Sequence, residues 1–133
     1  MAAKKIIVHA VKIEDKPGSL YHVLAKAAAQ GVDFNCLSAC TCADGTAMTY
    51  LSAKNYEALK AWANKESVKL KEMAGFMISG EDKVGAAAED LKQLADAKIN
   101  GVAAAAMICD SGYGMVVIVN ADDADAAAKA LGA

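Results

Sequence analysis

An internal repeat constrains this 133-residue chain more than any other feature. Glu14-Asp15-Lys16-Pro17-Gly18 returns as Glu81-Asp82-Lys83-Val84-Gly85, an offset of 67 positions. In the same gap-free register Leu24 meets Leu91, Cys42 meets Cys109, Gly45 meets Gly112 and Met48 meets Met115, while Val32-Asp33 falls on Ile99-Asn100. Matches between alanines carry little weight because 31 residues are alanine. The pentad and the Cys-x-x-Gly-x-x-Met spacing carry the argument. A chain of this length holds one ordinary domain or two very small ones, and the repeat decides for two. The expected units are 1–71 and 72–133.

Reading both copies together gives the order of elements. Residues 4–13 are apolar and β-branched, a strand ended by the polar loop 14–18. Ser19 is placed to cap a helix reaching Gln30, with Leu20, Val23, Leu24 and Ala27 on one face and Gly31 as its stop. Residues 32–42 read as a strand with Val32, Phe34, Cys36, Cys40 and Cys42 on one face. Asp44-Gly45 turns the chain into a return strand over 46–52. A helix over 54–65 turns Tyr56, Leu59, Trp62 and Ala63 inward, and residues 68–71 form a short fourth strand. The second copy repeats this with a strand at 73–79, a helix at 86–97, strands at 99–109 and 113–120 joined by a turn at Asp110-Ser111-Gly112, and a helix at 122–131. Propensity alone makes Ala103–Ala106 helical, but the repeat places it opposite residues 36–39 and so in a strand. No residues remain for a fourth strand in the second copy, which is one strand short or borrows one. The fold class is therefore α+β: two βαββαβ units with antiparallel sheets.

Composition excludes several functions. Apolar residues make up 56% of the chain and the net charge is −2, which argues against disorder. Every basic residue is lysine, so nothing is available for bidentate guanine or phosphate contacts, and there is no excess of positive charge for a nucleic acid. No apolar run approaches the ~18 residues of a membrane span. The apolar stretch near Met1 is too short for a secretory signal, so a cytoplasmic protein with reduced thiols is expected. Residues 1–66 carry +2 and residues 67–133 carry −4, a polarity suited to bringing two halves or two subunits together.

The most informative stretch is Glu14-Asp15-Lys16-Pro17-Gly18-Ser19-Leu20. Pro17 fixes φ, Gly18 permits a tight turn, and the following helix presents unpaired N–H groups. Such a junction suits the carboxylate of a small ligand, with Asp15 and Asp33 as acceptors for its ammonium group. The strand, the Asp-x-Pro-Gly-x-Leu motif, the helix ending in Gly31-Val32-Asp33-Phe34 and the βαββαβ order together resemble an ACT domain. The whole chain is similar to stand-alone tandem ACT proteins, small ferredoxin-like regulators that bind amino acids. The resemblance implies ligand contacts at Asp15 and Asp33 in the first copy and at Asp82 and Asn100 in the second, alongside Lys16, Pro17, Gly18, Ser19, Leu20 and Gly85. It also implies that a site can mix residues from two paired units or subunits. Val84 and Ala87 replace the motif's proline and leucine in the second copy, and Asp33 stands where the family usually has Asn.

Cys36, Cys40, Cys42 and Cys109 read as small packing residues. Cys40 and Cys42 lie about 6.8 Å apart along a strand, poorly placed for a disulfide, and no Cys-x-x-Cys metal motif occurs. Asp122-Asp123-Ala124-Asp125 suits a helix start, residues 111–114 a hairpin, His22 a surface or partner contact, and Trp62 a core anchor. The sequence therefore reads as a non-enzymatic, allosteric sensor with no catalytic residues, metal or cofactor. Its partners would be an amino acid, a second copy in a homodimer, and a regulated enzyme or regulator. A ligand-free interaction module and a thiol or soft-metal carrier using Cys36, Cys40 and Cys42 are the alternatives.

Overall fold

The β-branched N-terminal run forms one long strand. In the computed structural model, which describes residues 2–110 and 112–133, this is β1 (Ala2–Glu14), followed by α1 (Ser19–Ala29), β2 (Phe34–Thr41), β3 (Thr46–Ala53), α2 (Tyr56–Lys65), β4 (Lys71–Glu81), α3 (Ala86–Asp96), β5 (Ala103–Cys109) and β6 (Gly112–Asn120). A single 3-10 turn, Ala121–Asp123, leads into α4 (Ala124–Leu131). This is the expected α+β order, with the alanine run of β5 extended as the repeat requires. Ser111 of the expected second hairpin turn lies outside the described residues.

The chain divides into two units, Val8–Glu72 and Met73–Ala133 together with Met1–Ile7. The dividing line near residue 72 is close to the junction of the two repeat copies, but the first residues of β1 stand with the second unit. Strand order is β2-β3-β1 in the first unit and β1-β4-β6-β5 in the second. The second copy has no strand after α4; residues from β1 take the place beside β4. Residues 68–70 do not form the expected strand, and Lys71 already opens β4. Ser67 turns the chain with φ 54°, the Val68 N–H donates to the Ala63 carbonyl, and Val68 and Leu70 pack irregularly against the first core.

Each unit buries one sheet face beneath its helices. In the first unit Val11 and Leu51 meet Ala27 of α1 and Leu59, Trp62 and Ala63 of α2. Tyr56, expected inward, is 48% exposed and stacks on the buried His9 at 5.4 Å. The alanine-rich second unit has no thin core, contrary to what its composition suggests. Phe76, Ile78, Met115, Val117 and Val119 come from its strands and meet Leu94, Ala127 and Leu131 from its helices. A fully buried side chain of this size contributes about 1.5–3 kcal/mol, so large residues on the strands compensate for small ones on the helices.

A bulge between Phe34 and Cys36 corrects the expected single face of β2. Phe34 pairs with Ala53 and packs against the first core, while Cys36 pairs with Ser52 and Cys40 with Met48 on the opposite face. The cysteines are therefore not core residues. Cys40 and Cys109 are exposed, Cys36 and Cys42 are half-buried, and all four are free thiols. No helix among the described residues is long and apolar enough to cross a membrane.

Candidate functional site

The repeated pentad builds the same turn twice. Gly18 has φ 86° and Gly85 has φ 84°, each in the left-handed region that glycine adopts without steric cost. The N–H of Ser19 donates to the Lys16 carbonyl at 3.0 Å, and that of Ala86 to the Lys83 carbonyl at 3.2 Å. The first helical bonds follow, from His22 N–H to Gly18 and from Glu89 N–H to Gly85, both at 2.9 Å. Ser19 is therefore the first residue of α1 and not its cap, because the turn puts Gly18 at the cap position. Neither helix has a side-chain cap. The second and third amides, Leu20 and Tyr21 in α1 and Ala87 and Ala88 in α3, have no intrahelical acceptor. They point out of the positive end of the helix dipole.

Electrostatics separate the two loops. Around the first, charges are paired locally: Lys16 with Glu14 at 3.4 Å and Lys12 with Asp44 at 3.1 Å. The Thr46 hydroxyl, Lys12 and the Thr46 amide hold the Asp44 carboxyl down at about 2. The Asp15 N–H donates to Gly45 of the β2–β3 hairpin at 3.1 Å, and the exposed Asp15 side chain has no ion pair among the described residues. The His22 ring lies 3.7 Å from where a Cβ on Gly18 would stand. At the second loop the residue equivalent to His22 is Glu89, an acid in the first turn of α3 that pairs with Lys83 at 3.2 Å. That carboxylate supplies its own negative charge to the helix end. Val84, in place of Pro17, is fully exposed, and Asp82 is exposed without an ion pair among the described residues.

The remaining anticipated residues lie at the other end of each sheet. Glu14 pairs with Thr46 beside the hairpin, whereas Phe34, just after Asp33, pairs with Ala53. Those positions are seven residues apart on β3, about 23 Å at the usual strand rise. Asp15 and Asp33 of one unit therefore do not meet. Asp33 is engaged locally: its carboxylate takes the Phe34 N–H at 2.9 Å and the Lys54 ammonium at 3.3 Å. The Asn55 carboxamide accepts from the Asp33 N–H at 3.1 Å and donates to Gly31 at 2.7 Å. In the second unit Glu81 pairs with Gly112, while Asn100 precedes a strand that starts opposite Ile118. Asp82 and Asn100 are separated in the same way.

Sequence reasoning missed Lys54, Asn55 and the Lys12–Asp44–Thr46 group. Asp44 followed by Thr46 is an Asx-turn signal that was legible. Asn55 reads as a helix cap, and nothing local shows that its side chain serves another turn. On the face away from the helices, burial raises the Tyr50 pKa, and the neighbouring Cys40 and Cys42 add to the effect. Burial likewise pushes the Cys36 thiol up. Among the described residues no group of three or more His, Cys, Asp or Glu side chains could hold a metal ion.

No protein-family model matches the sequence, and no curated protein matches it. Solved structures do. A protein of Bacteroides thetaiotaomicron aligns over 96% of this chain and 88% of its own, at 16% identity and a TM-score of 0.75. The ligand-free regulatory subunit of aspartate kinase from Thermus thermophilus aligns over 98% and 93%, at 18% identity and a TM-score of 0.65. The corresponding subunit from Thermus flavus aligns over 98% and 94%, at 22% identity and a TM-score of 0.61. At these identities the similarity is one of fold, shared over nearly the whole chain with regulatory subunits of aspartate kinase.

Proposed function

We propose that this chain is a non-enzymatic regulatory protein that binds a small amino acid at the loops after β1 and β4 and passes the signal to a partner protein or subunit. The observation that carries the reading is the doubled helix start: uncapped amides that follow an aspartate without an ion pair among the described residues, built by the same pentad in each unit. A ligand carboxylate suits the Leu20 and Tyr21 amides and the helix dipole. Asp15 suits the ligand's ammonium group, which needs an anionic acceptor. The first loop is the stronger candidate, because Glu89 already places a carboxylate at the second. A ligand that favours one arrangement of the chain over another transmits a signal without chemistry.

The fold neighbours support a regulatory role, two of them being regulatory subunits spanned almost end to end. Assembly as a homodimer is favoured by the outer strands β2 and β5, neither of which carries a charged residue to guard its open edge. A melting screen across the twenty amino acids tests the function. One or a few should stabilise the chain by about 2.7 kcal/mol at a hundredfold excess over Kd, and Asp15→Ala should weaken that ligand at least tenfold. Absence of a shift with all twenty would overturn the reading in favour of an interaction module without a ligand.

A further inference from the structure

Between α1 and α2 of the first unit lies a cavity of about 160 Å³, lined by His22, Val23, Lys26, Trp62, Glu66 and Val68. A dry cavity of about 150 Å³ holds benzene, so this one accommodates roughly seven non-hydrogen atoms. Val23, Val68 and the indole give it apolar walls. The polar groups of its lining residues are mostly donors: the Lys26 ammonium, the His22 imidazole and the Trp62 indole N–H, the last of them closed to water in this conformation. The only carboxylate, Glu66, already accepts from Lys26 at 3.4 Å.

Trp62 supplies the observation that points to a ligand. It is 2% exposed, and its Nε1 has no hydrogen-bond partner among the described residues. A buried indole N–H normally finds an acceptor, and leaving one unmet is costly. The Lys26–Glu66 pair joins α1 to the end of α2, and the Lys26 side chain is 62% exposed. An exposed ion pair of this kind holds weakly, so it can part and let an acceptor reach the indole. In the 67-residue register Glu89 replaces His22 and Lys129 replaces Trp62, so this donor set belongs to the first unit alone.

We infer that the α1–α2 groove of the first unit is a second binding site, distinct from the loop site although His22 borders both, for a small carboxylate with a branched aliphatic or aromatic body. The carboxylate takes the lysine and indole donors, and the hydrocarbon lies between Val23 and Val68. Trp62 is the sole tryptophan, so its single indole N–H resonance reports occupancy directly. Isovalerate is the probe, titrated into the full chain by NMR and calorimetry. The expected Kd is on the order of 1 mM for a ligand of this size, with the indole resonance moving downfield to saturation. Lys26→Met should weaken binding about tenfold, while Lys60→Met, on the exposed face of α2, should leave it unchanged. Isovaleramide, isosteric but uncharged, should bind about tenfold more weakly than isovalerate. An indole resonance that stays in place at 50 mM isovalerate overturns the site, as does wild-type affinity in Lys26→Met. Equal affinity for the amide overturns the ligand class.

Discussion

At Lys98 the backbone adopts φ 59°, in the position that Gly31 occupies at φ 79° in the first unit. Both residues end a helix, and the left-handed conformation strains any residue that carries a Cβ. Lys98→Gly should therefore stabilise the chain by about 0.5–1 kcal/mol in urea denaturation. His9 makes a second residue-level claim. Burial lowers its pKa below the ordinary 6.5, with Glu72 opposing, and its Nδ1 has no partner among the described residues. Near pH 6.5 the unfolded chain then binds more protons than the folded one, so stability rises with pH. The contribution is complete above pH 6.5 and is lost as the pH falls below it. Denaturation midpoints measured from pH 5 to pH 8 should rise, and His9→Phe, which keeps the ring stack on Tyr56, should flatten that rise. Tyr113 is a third such residue: its hydroxyl donates to Met115 Sδ at 3.5 Å, and burial raises its pKa, with the nearby buried Asp90 adding to the effect. Tyr113→Phe removes that buried donor and should cost about 0.5–1.5 kcal/mol in urea denaturation.

At the scale of elements, Asn55 links three of them. It stands at the cap position of α2, yet its side chain bonds to Gly31 and Asp33 at the turn from α1 into β2. Asn55→Ala should lose about 1–2 kcal/mol, with hydrogen exchange accelerating at residues 31–34 as well as at the start of α2. This position also shows what the sequence could and could not reveal. Helices, strands and their order were legible because the repeat let each copy correct the other; β5 is a strand although four of its seven residues are alanine. The bulge at Phe34/Cys36 was not legible. One inserted residue moves every later side chain to the opposite face, which is why the cysteines left the core. The separation of Asp15 from Asp33 was hidden for a related reason: it depends on which sheet end each loop reaches, a matter of topology that motif spacing does not record. The paired glycine turns, by contrast, were visible because φ near +85° leaves a residue-level signature.

Across the whole molecule, a repeat of 67 residues yields two units that divide the first strand between them. Residues from β1 stand beside β4 in the second unit. Deleting Ala2–Ile7 should turn β4 into an open edge and raise hydrogen exchange across Met73–Glu81 and Gly112–Asn120, with β3 still protected. For the same reason residues 67–133 expressed alone should fold poorly, since small units have little stability to spare. The two copies have also diverged in chemistry. Each keeps the glycine turn, but only the first helix has no acid in its first turn. The account rests on that helix end receiving a ligand carboxylate. The most direct test follows the backbone amide resonances while the amino acid that gives the largest melting shift is titrated into the full chain. Leu20 and Tyr21 should move to saturation, and Ala87 and Ala88 should move less. Saturation of that amino acid with Leu20 and Tyr21 unmoved would contradict the account.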